Sequence, residues 1–143
     1  MTNLPDELHT VLKEDIYKRE NEADVYSALA RLNVTPSPTF VEFYKKYSGS
    51  FWGNSLPYEL LDLCEDINNI ESYTEICRKE HCFPDIFLVL SELSVGALLV
   101  LDSVTDKVYE VDFEGGDESL LNGNLKARWL SFYEFLKDYF ADF

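Results

Sequence analysis

The chain has 143 residues, of which 46% are hydrophobic and 27% charged, and its 27 acidic and 12 basic side chains give a formal net charge of −15. This length suits one domain, residues 1–143, and the apolar and aromatic content excludes a disordered chain. The negative charge disfavours binding to nucleic acid or to an anionic membrane, and it favours a cationic partner.

The N-terminus "MTNLPDELHT" is polar and does not have the pattern of an export signal. No apolar run approaches the roughly 20 residues that a membrane-spanning helix needs. We therefore expect a cytoplasmic protein. The cysteines, Cys64, Cys77 and Cys82, are odd in number, so we expect reduced thiols rather than a disulfide framework.

Two helices are predicted at the start of the chain. The first has Asn3 as its cap and Pro5 in its first turn, and its inward positions are Leu8, Val11, Leu12 and Ile16. The second ends near Asn33, and its inward positions at helical spacing are Val25, Ala28, Leu29 and Leu32.

A third helix begins in the stretch "TPSPTF", with Ser37 as N-cap and Pro38 in the first helical position. Its aromatic residues recur at helical spacing and predict a buried stripe formed by Phe40, Phe43, Tyr44 and Tyr47. Gly49 is expected to end this helix in the left-handed conformation.

The aromatic residues after Gly49 have no helical period, so we place Phe51, Trp52 and Tyr58 on a connection or a short strand. Connections run over the surface and often carry recognition residues, and Trp and Tyr are enriched at interface hot spots. The alternative is a Trp that folds back over the edge of the core.

The rest of the chain predicts one more helix, a sheet and a final helix. Residues 71–80 suit a short helix, and the apolar run 86–90 suits a buried strand. Strands over 96–101 and 108–111, joined by the polar turn Asp102–Lys107, form a hairpin that ends at Gly115 and Gly116. The last helix has an aromatic face of Trp129 or Leu130, Phe132, Tyr133, Leu136 and Phe140. We predict an α+β fold with a central, mainly antiparallel sheet, N-terminal helices and a C-terminal helix.

Motifs for catalysis or cofactor binding are absent from the sequence. Neither His9 nor His81 stands in an acid-base setting, and no nucleotide-binding or metalloprotease motif occurs. Cys64, Cys77, His81 and Cys82 suit zinc by count alone, because their spacing does not match a zinc knuckle. The acidic run after residue 111 lacks the order of a calcium loop. We expect no enzyme activity, metal or cofactor.

Acidic residues are concentrated in two segments. No Lys or Arg occurs between Lys46 and Arg78, and Lys107 is the one basic residue from Asp102 to Glu118. Both segments would form one acidic face if the fold brought them together.

The order of these elements resembles the SUKH superfamily. The resemblance rests on a helix that begins with Pro and ends "FVEFYKKYSGS" with a Trp just beyond, then "FLVLSE", "GALLVLDSVTDKVYEVDF" and "WLSFYEFL". It runs from about Asn33 to the C-terminus, and the stretch 54–83 departs from the pattern in length and acidity. The matching positions are Pro38, Phe43, Tyr47, Gly49, Trp52, Gly96, Leu101, Asp102, Val108, Trp129, Phe132 and Leu136.

This resemblance implies a binding protein without catalytic residues. The SUKH superfamily includes bacterial immunity proteins, which bind a toxin, and a fungal regulator of cell-wall synthesis. We expect an immunity protein that neutralises a cognate toxin domain such as a cationic nuclease, and a regulatory scaffold in cell-wall synthesis or signalling is the alternative. An enzyme acting through acidic residues is a third reading, and the oligomeric state is left open. The predicted partner-binding residues are Trp52, Tyr58, Asp62, Glu65, Asp66, Asp112, Glu114, Asp117 and Glu118.

Overall fold

The structure is a computed structural model that describes residues 4–52, 56–65, 67–92 and 96–141. Within these ranges it contains six α-helices and five β-strands, so the predicted α+β class is confirmed. The helices are α1 Leu8–Val11, α2 Ala23–Leu32, α3 Pro38–Lys46, α4 Ile70–Glu80, α5 Gly116–Leu121 and α6 Phe132–Tyr139. The strands are β1 Phe51–Trp52, β2 Glu59–Leu60, β3 Phe87–Val89, β4 Ala97–Asp102 and β5 Val108–Asp112.

Strand β4 is the centre of an antiparallel sheet of order β3-β4-β5. Val100 lies opposite Val89 in β3 and opposite Tyr109 in β5. Successive side chains of β4 enter different cores, because Leu99 belongs to the larger core and Leu98 to a smaller one on the other face. Since both faces are covered, the strand is a continuous apolar run rather than an alternating one.

The larger core contains buried side chains of helices α1, α2, α3 and α6, together with those of β1 and β2. Residues of α4 and α5, such as Cys77 and Leu120, pack in the smaller core. Strands β1 and β2 pair with each other as a separate antiparallel ribbon, in which Phe51 lies opposite Leu60 and Trp52 opposite Glu59. We call this pair of strands the ribbon.

Helices α2 and α3 agree with the sequence-based prediction. The four inward positions predicted for α2 are buried, and Asn33 ends it with φ of 58°. The side chain of Ser37 accepts a hydrogen bond from the Phe40 N–H at 3.3 Å, and Pro38 is the first helical residue. The predicted aromatic stripe is buried, which confirms these residues as core.

The first predicted helix is shorter in the structure. Helix α1 ends at Val11, and a 3-10 turn over Asp15–Tyr17 follows it. Ile16 is 75% exposed, so its predicted inward position is wrong. The predicted cap, Asn3, lies outside the described residues.

Gly49 serves a different purpose from the one predicted. The helix cap is Tyr47, which is extended, and Gly49 is not among the residues with positive φ. A Cβ atom at Gly49 would instead lie 2.4 Å from the Phe51 ring. The position requires glycine because the backbone passes against a buried ring.

The C-terminal part differs from prediction in two places. Helix α5 begins at Gly116, with Gly115 as its N-cap, where the sequence indicated only the end of a strand. Helix α6 begins after Ser131, whose hydroxyl accepts from the Glu134 N–H at 3.1 Å, so Trp129 precedes it and pairs with Val108. The inward residues are therefore Phe132, Phe135, Leu136 and Tyr139, while Leu130 and Tyr133 are exposed.

A buried ion pair joins the segment before α2 to the segment after β2. Arg19 and Asp62 have side chains that are 0% and 1% exposed, and an Arg19 Nη2 to Asp62 Oδ1 bond of 2.5 Å connects them. Arg19 also donates to the Tyr44 carbonyl. Asp62 accepts from the N–H groups of Gly49, at 3.0 Å, and Glu65, at 2.9 Å. Both charged groups are thus surrounded by hydrogen-bonding partners, as buried ions require.

The Tyr139 hydroxyl attaches helix α6 to the ribbon. It accepts a hydrogen bond from the Leu60 N–H at 3.0 Å, and its oxygen lies 2.9 Å from the Phe51 carbonyl and 2.6 Å from the Tyr58 carbonyl. A hydroxyl has one proton, so the two carbonyl oxygens share a single donor. One buried side chain therefore satisfies backbone groups of both ribbon strands.

Replacing Asp62 with Ala should destabilise the protein by about 3–5 kcal/mol, because Arg19 would keep a buried charge without its counterion. Urea denaturation measures the change. Glu71→Gln is the matched control, since it removes a carboxylate paired with the exposed Arg31 and should cost much less. Equal losses in the two variants would contradict the role given to Asp62.

Tyr139→Phe should destabilise the protein by about 1–3 kcal/mol, because the Leu60 N–H would be left buried without its acceptor. Tyr133→Phe removes a hydroxyl from the exposed side of the same helix and should change stability little. Thermal or chemical denaturation of both variants provides the comparison, and a loss from Tyr133→Phe as large as that from Tyr139→Phe would refute this explanation.

Candidate functional site

The ribbon directs Trp52 into solvent. Phe51 is 1% exposed and packs in the larger core, whereas Trp52, the next residue along the strand, is 61% exposed. Because opposite residues of an antiparallel pair lie on one face, Glu59 shares the solvent side with Trp52. Trp52 therefore lies on the surface, and the alternative of a Trp folded over the core edge does not describe it.

Tyr73 on α4 lies within electrostatic reach of the ribbon residue Glu59. Burial raises the pKa of the Tyr73 hydroxyl on α4, and the nearby carboxylates Glu92 and Glu59 raise it further. The Tyr73 hydroxyl is thus within electrostatic reach of both acids. We call Trp52 and Glu59 the ribbon face. Glu59 is not among the site residues predicted from the sequence, and the alternating "YEL" at residues 58–60 is the signal that could have indicated it.

Tyr58, predicted as a second anchor, points away from solvent. It is 6% exposed, and its hydroxyl donates to Glu110 Oε2 at 2.7 Å. Burial, followed by the hydrogen bond to Glu110, raises the pKa of Tyr58 well above its usual range. Arg128 Nη1 lies 3.0 Å from the same Glu110 oxygen. Tyr58 thus links the start of β2 to β5, and its ring is buried.

The acids that follow β2 differ from one another in exposure. Asp62 is occupied by the buried ion pair with Arg19, so its carboxylate is not available as a surface charge. Glu65 is 46% exposed in its side chain and lies 3.5 Å from Arg19 Nη1. Asp66 lies outside the described residues. Glu65 is therefore the accessible member of this group in the described part of the chain.

The acids that follow β5 form a second group, Asp112, Glu114, Asp117 and Glu118, which we call the acidic loop. Asp112 Oδ1 accepts from the N–H groups of Glu114, at 2.9 Å, and Gly116, at 3.1 Å, and so shapes the turn into α5. Asp117 and Glu118 lie in the first turn of α5, where carboxylates are favoured. Asp112, Glu114 and Glu118 are exposed and Asp117 is half-buried.

A hydrogen bond at the partly exposed Glu110 connects the two acidic groups. The hydrogen bond from Tyr58 to Glu110 joins β2 to β5, and Glu110 precedes Asp112 by two residues. This contact lies on the side of the ribbon opposite Trp52. One continuous acidic face that includes both groups stays a prediction, and we treat the ribbon face and the acidic loop separately.

The candidate metal ligands are dispersed in the structure. Cys77 is buried in the smaller core, Cys82 is exposed, and Cys64 is half-buried beside Arg19 Nη1 at 3.6 Å. Within the described ranges no group of three or more His, Cys, Asp and Glu side chains is placed to hold a metal ion. No described helix is long and apolar enough to cross a membrane.

A sequence model of the SMI1 / KNR4 family (SUKH-1) matches residues 20–138. The chain belongs to the SMI1 / KNR4 family. The match begins earlier than the resemblance described from the sequence, and it includes residues 54–83, where the sequence departs from the pattern in length and acidity. It includes the ribbon face and the acidic loop. No curated protein matches the sequence.

Membership of the SMI1 / KNR4 family is consistent with an immunity or a regulatory role. In this member, the ribbon face and the acidic loop offer an exposed aromatic ring and exposed carboxylates, which suit contact with another protein.

The three thiols should differ in reactivity towards iodoacetamide. Burial raises the pKa of the Cys77 and Cys64 thiols to about 11, so little thiolate forms at pH 8. Cys82 is exposed and should be alkylated first, with Cys77 last because it is also inaccessible. Mass spectrometry of a time course measures the order, and the unfolded protein, in which all three should react alike, is the control. Alkylation of Cys77 as fast as Cys82 would contradict the placement.

Proposed function

We propose that this protein is an immunity protein that binds and neutralises a toxin domain with a cationic surface, such as a nuclease. The observation that carries the proposal is the exposed Trp52 beside Glu59 on the ribbon, in a SUKH-1 family member of net charge −15. Trp is a typical hot-spot residue, and an exposed indole contributes binding free energy when a partner covers it.

The negative charge of this protein favours a partner with a cationic surface. A nuclease needs a cationic surface to hold phosphates, and an acidic inhibitor can cover that surface. The exposed carboxylates of the acidic loop would steer the encounter, and their effect on the association rate would fall as salt rises. The protein would act by covering the toxin surface and would need no chemistry of its own.

The structure around Trp52 holds its backbone in place. Its neighbour Phe51 is buried, and the ribbon backbone is attached to α6 by the Tyr139 hydroxyl. A side chain on a held strand loses less conformational freedom on binding than one on a loose loop, so more of the contact energy appears as affinity. Tyr58 and Asp62 contribute to this support rather than to the contact surface.

The test uses the C-terminal domain of any toxin-like protein encoded next to the gene, titrated by calorimetry at low and high salt. Tight binding that weakens with salt is the expected result. Tight binding that does not depend on salt would retain the immunity role and indicate that apolar contact at Trp52, rather than charge, provides the affinity. No binding would reject the proposal in favour of a regulatory scaffold.

Kinetic variants separate the two surfaces. Trp52→Ala should increase the dissociation rate about tenfold and leave the association rate unchanged, because it removes a buried contact in the complex. The double variant Asp117→Asn, Glu118→Gln should mainly lower the association rate, several-fold at low salt and less at high salt. Surface plasmon resonance measures both rates.

Leu130→Ala is the matched control for Trp52→Ala, since Leu130 is 73% exposed and lies outside both surfaces. Equal effects of the Trp52 and acidic-loop variants on dissociation, without salt dependence, would count against the division of roles.

A further inference from the structure

Trp52 and Glu59 form a cross-strand pair that is suited to a planar cation. Directly opposite residues in an antiparallel pair have Cβ atoms about 5 Å apart, so the Trp52 and Glu59 side chains leave the ribbon from neighbouring points on one face. The face of an indole attracts a cation, and a carboxylate accepts hydrogen bonds from its donors. A guanidinium satisfies both demands at once, because it is flat enough to stack and has its donors in a fork.

The same chain contains a complete arrangement of this kind. The guanidinium of Arg128 lies over the Trp129 ring, with its central carbon 4.7 Å from the ring centroid. Its Nη1 atom lies 3.0 Å from Glu110 Oε2. Beside β5, Trp129, Glu110 and Arg128 thus combine an indole, a carboxylate and a guanidinium.

In the described part of the chain, the Trp52–Glu59 pair has the aromatic ring and the carboxylate without an internal cation. All twelve Lys and Arg residues fall in the described ranges. The ion pairs found there are made by four arginines, each to an acid other than Glu59. The two cation–π contacts in those ranges involve Tyr26 and Trp129, not Trp52.

We propose that the Trp52–Glu59 pair is a binding site for one arginine side chain of the partner protein, with the guanidinium stacked on Trp52 and bonded to Glu59. This inference rests on the proposed binding function and specifies the residues at the centre of the binding interface. It distinguishes arginine from lysine, because an ammonium is a compact, strongly hydrated charge that cannot stack in the same way.

The probe for this site is L-argininamide, with L-lysinamide of equal charge as the comparison, added at constant ionic strength to ¹⁵N-labelled protein. The protein has two Trp indole N–H signals. Trp129 is buried and its Nε1 donates to Asp138 at 2.9 Å, so its signal is an internal reference. The Trp52 signal should shift at least about threefold more with argininamide than with lysinamide, and the Trp129 signal should stay unchanged.

The variant Glu59→Gln should reduce the argininamide-induced shift of Trp52 about threefold, the size expected of an exposed ion pair. Glu114→Gln, which removes one exposed charge from the acidic loop, should leave the shift unchanged. Equal shifts with both probes, or equal shifts in wild type and Glu59→Gln, would overturn the arginine site.

This titration needs no toxin, so its outcome is separate from that of the immunity proposal. A toxin domain that binds tightly to wild type and to Glu59→Gln alike would keep the immunity role and remove the arginine site. A specific argininamide response together with no toxin binding would keep the site and reject the immunity role.

Discussion

The ion pair between Arg19 and Asp62 holds both ends of the ribbon, which carries the proposed binding surface. Two charges out of water cost several kcal/mol, and such a pair is tolerated only when its remaining donors and acceptors are satisfied. Here they are, because the guanidinium also bonds the carbonyls at the end of α3, and the carboxylate bonds three backbone N–H groups of Gly49, Cys64 and Glu65. The pair thereby fixes the backbone immediately before β1 and after β2.

The ribbon between these fixed points is too short to be stable alone, because an isolated two-stranded hairpin is marginal in water. Hydrogen bonds from three tyrosine hydroxyls attach the short ribbon and its neighbouring residues to the rest of the fold. Tyr139 bonds both strands, Tyr58 bonds β5 through Glu110, and Tyr44 donates to the Leu61 carbonyl at 3.0 Å. Each hydroxyl belongs to a ring that is buried in the core, so the same residues provide apolar packing and a polar attachment.

The sequence predicted the elements whose own residues specify them. Helix α3 has a Ser cap, a Pro in its first position and an aromatic stripe at helical spacing, and all of these were recognised correctly. The sequence does not predict α5, because the helix has six residues and begins with a glycine. The predicted inward face of α6 differs from the observed one, because Trp129 continues the aromatic pattern without belonging to the helix.

The site was harder to predict than the fold. Asp62 belongs to an acid-rich segment that suggested a solvated surface, and its partner Arg19 precedes it by 43 residues, a pairing that no local pattern reveals. Tyr58 and Trp52 have similar chemistry in the sequence, yet strand pairing turns one ring inward and the other outward. Glu59 gains its place beside Trp52 only from the register of the ribbon.

The different surroundings of the two tryptophans have a practical consequence. Trp129 is 6% exposed and Trp52 is 61% exposed, so a soluble quencher such as acrylamide reaches one indole far more readily than the other. The quenchable part of the intrinsic fluorescence comes mainly from the ribbon face. An unlabelled sample therefore reports optically whether that face is covered, while the shielded indole indicates whether the core remains intact.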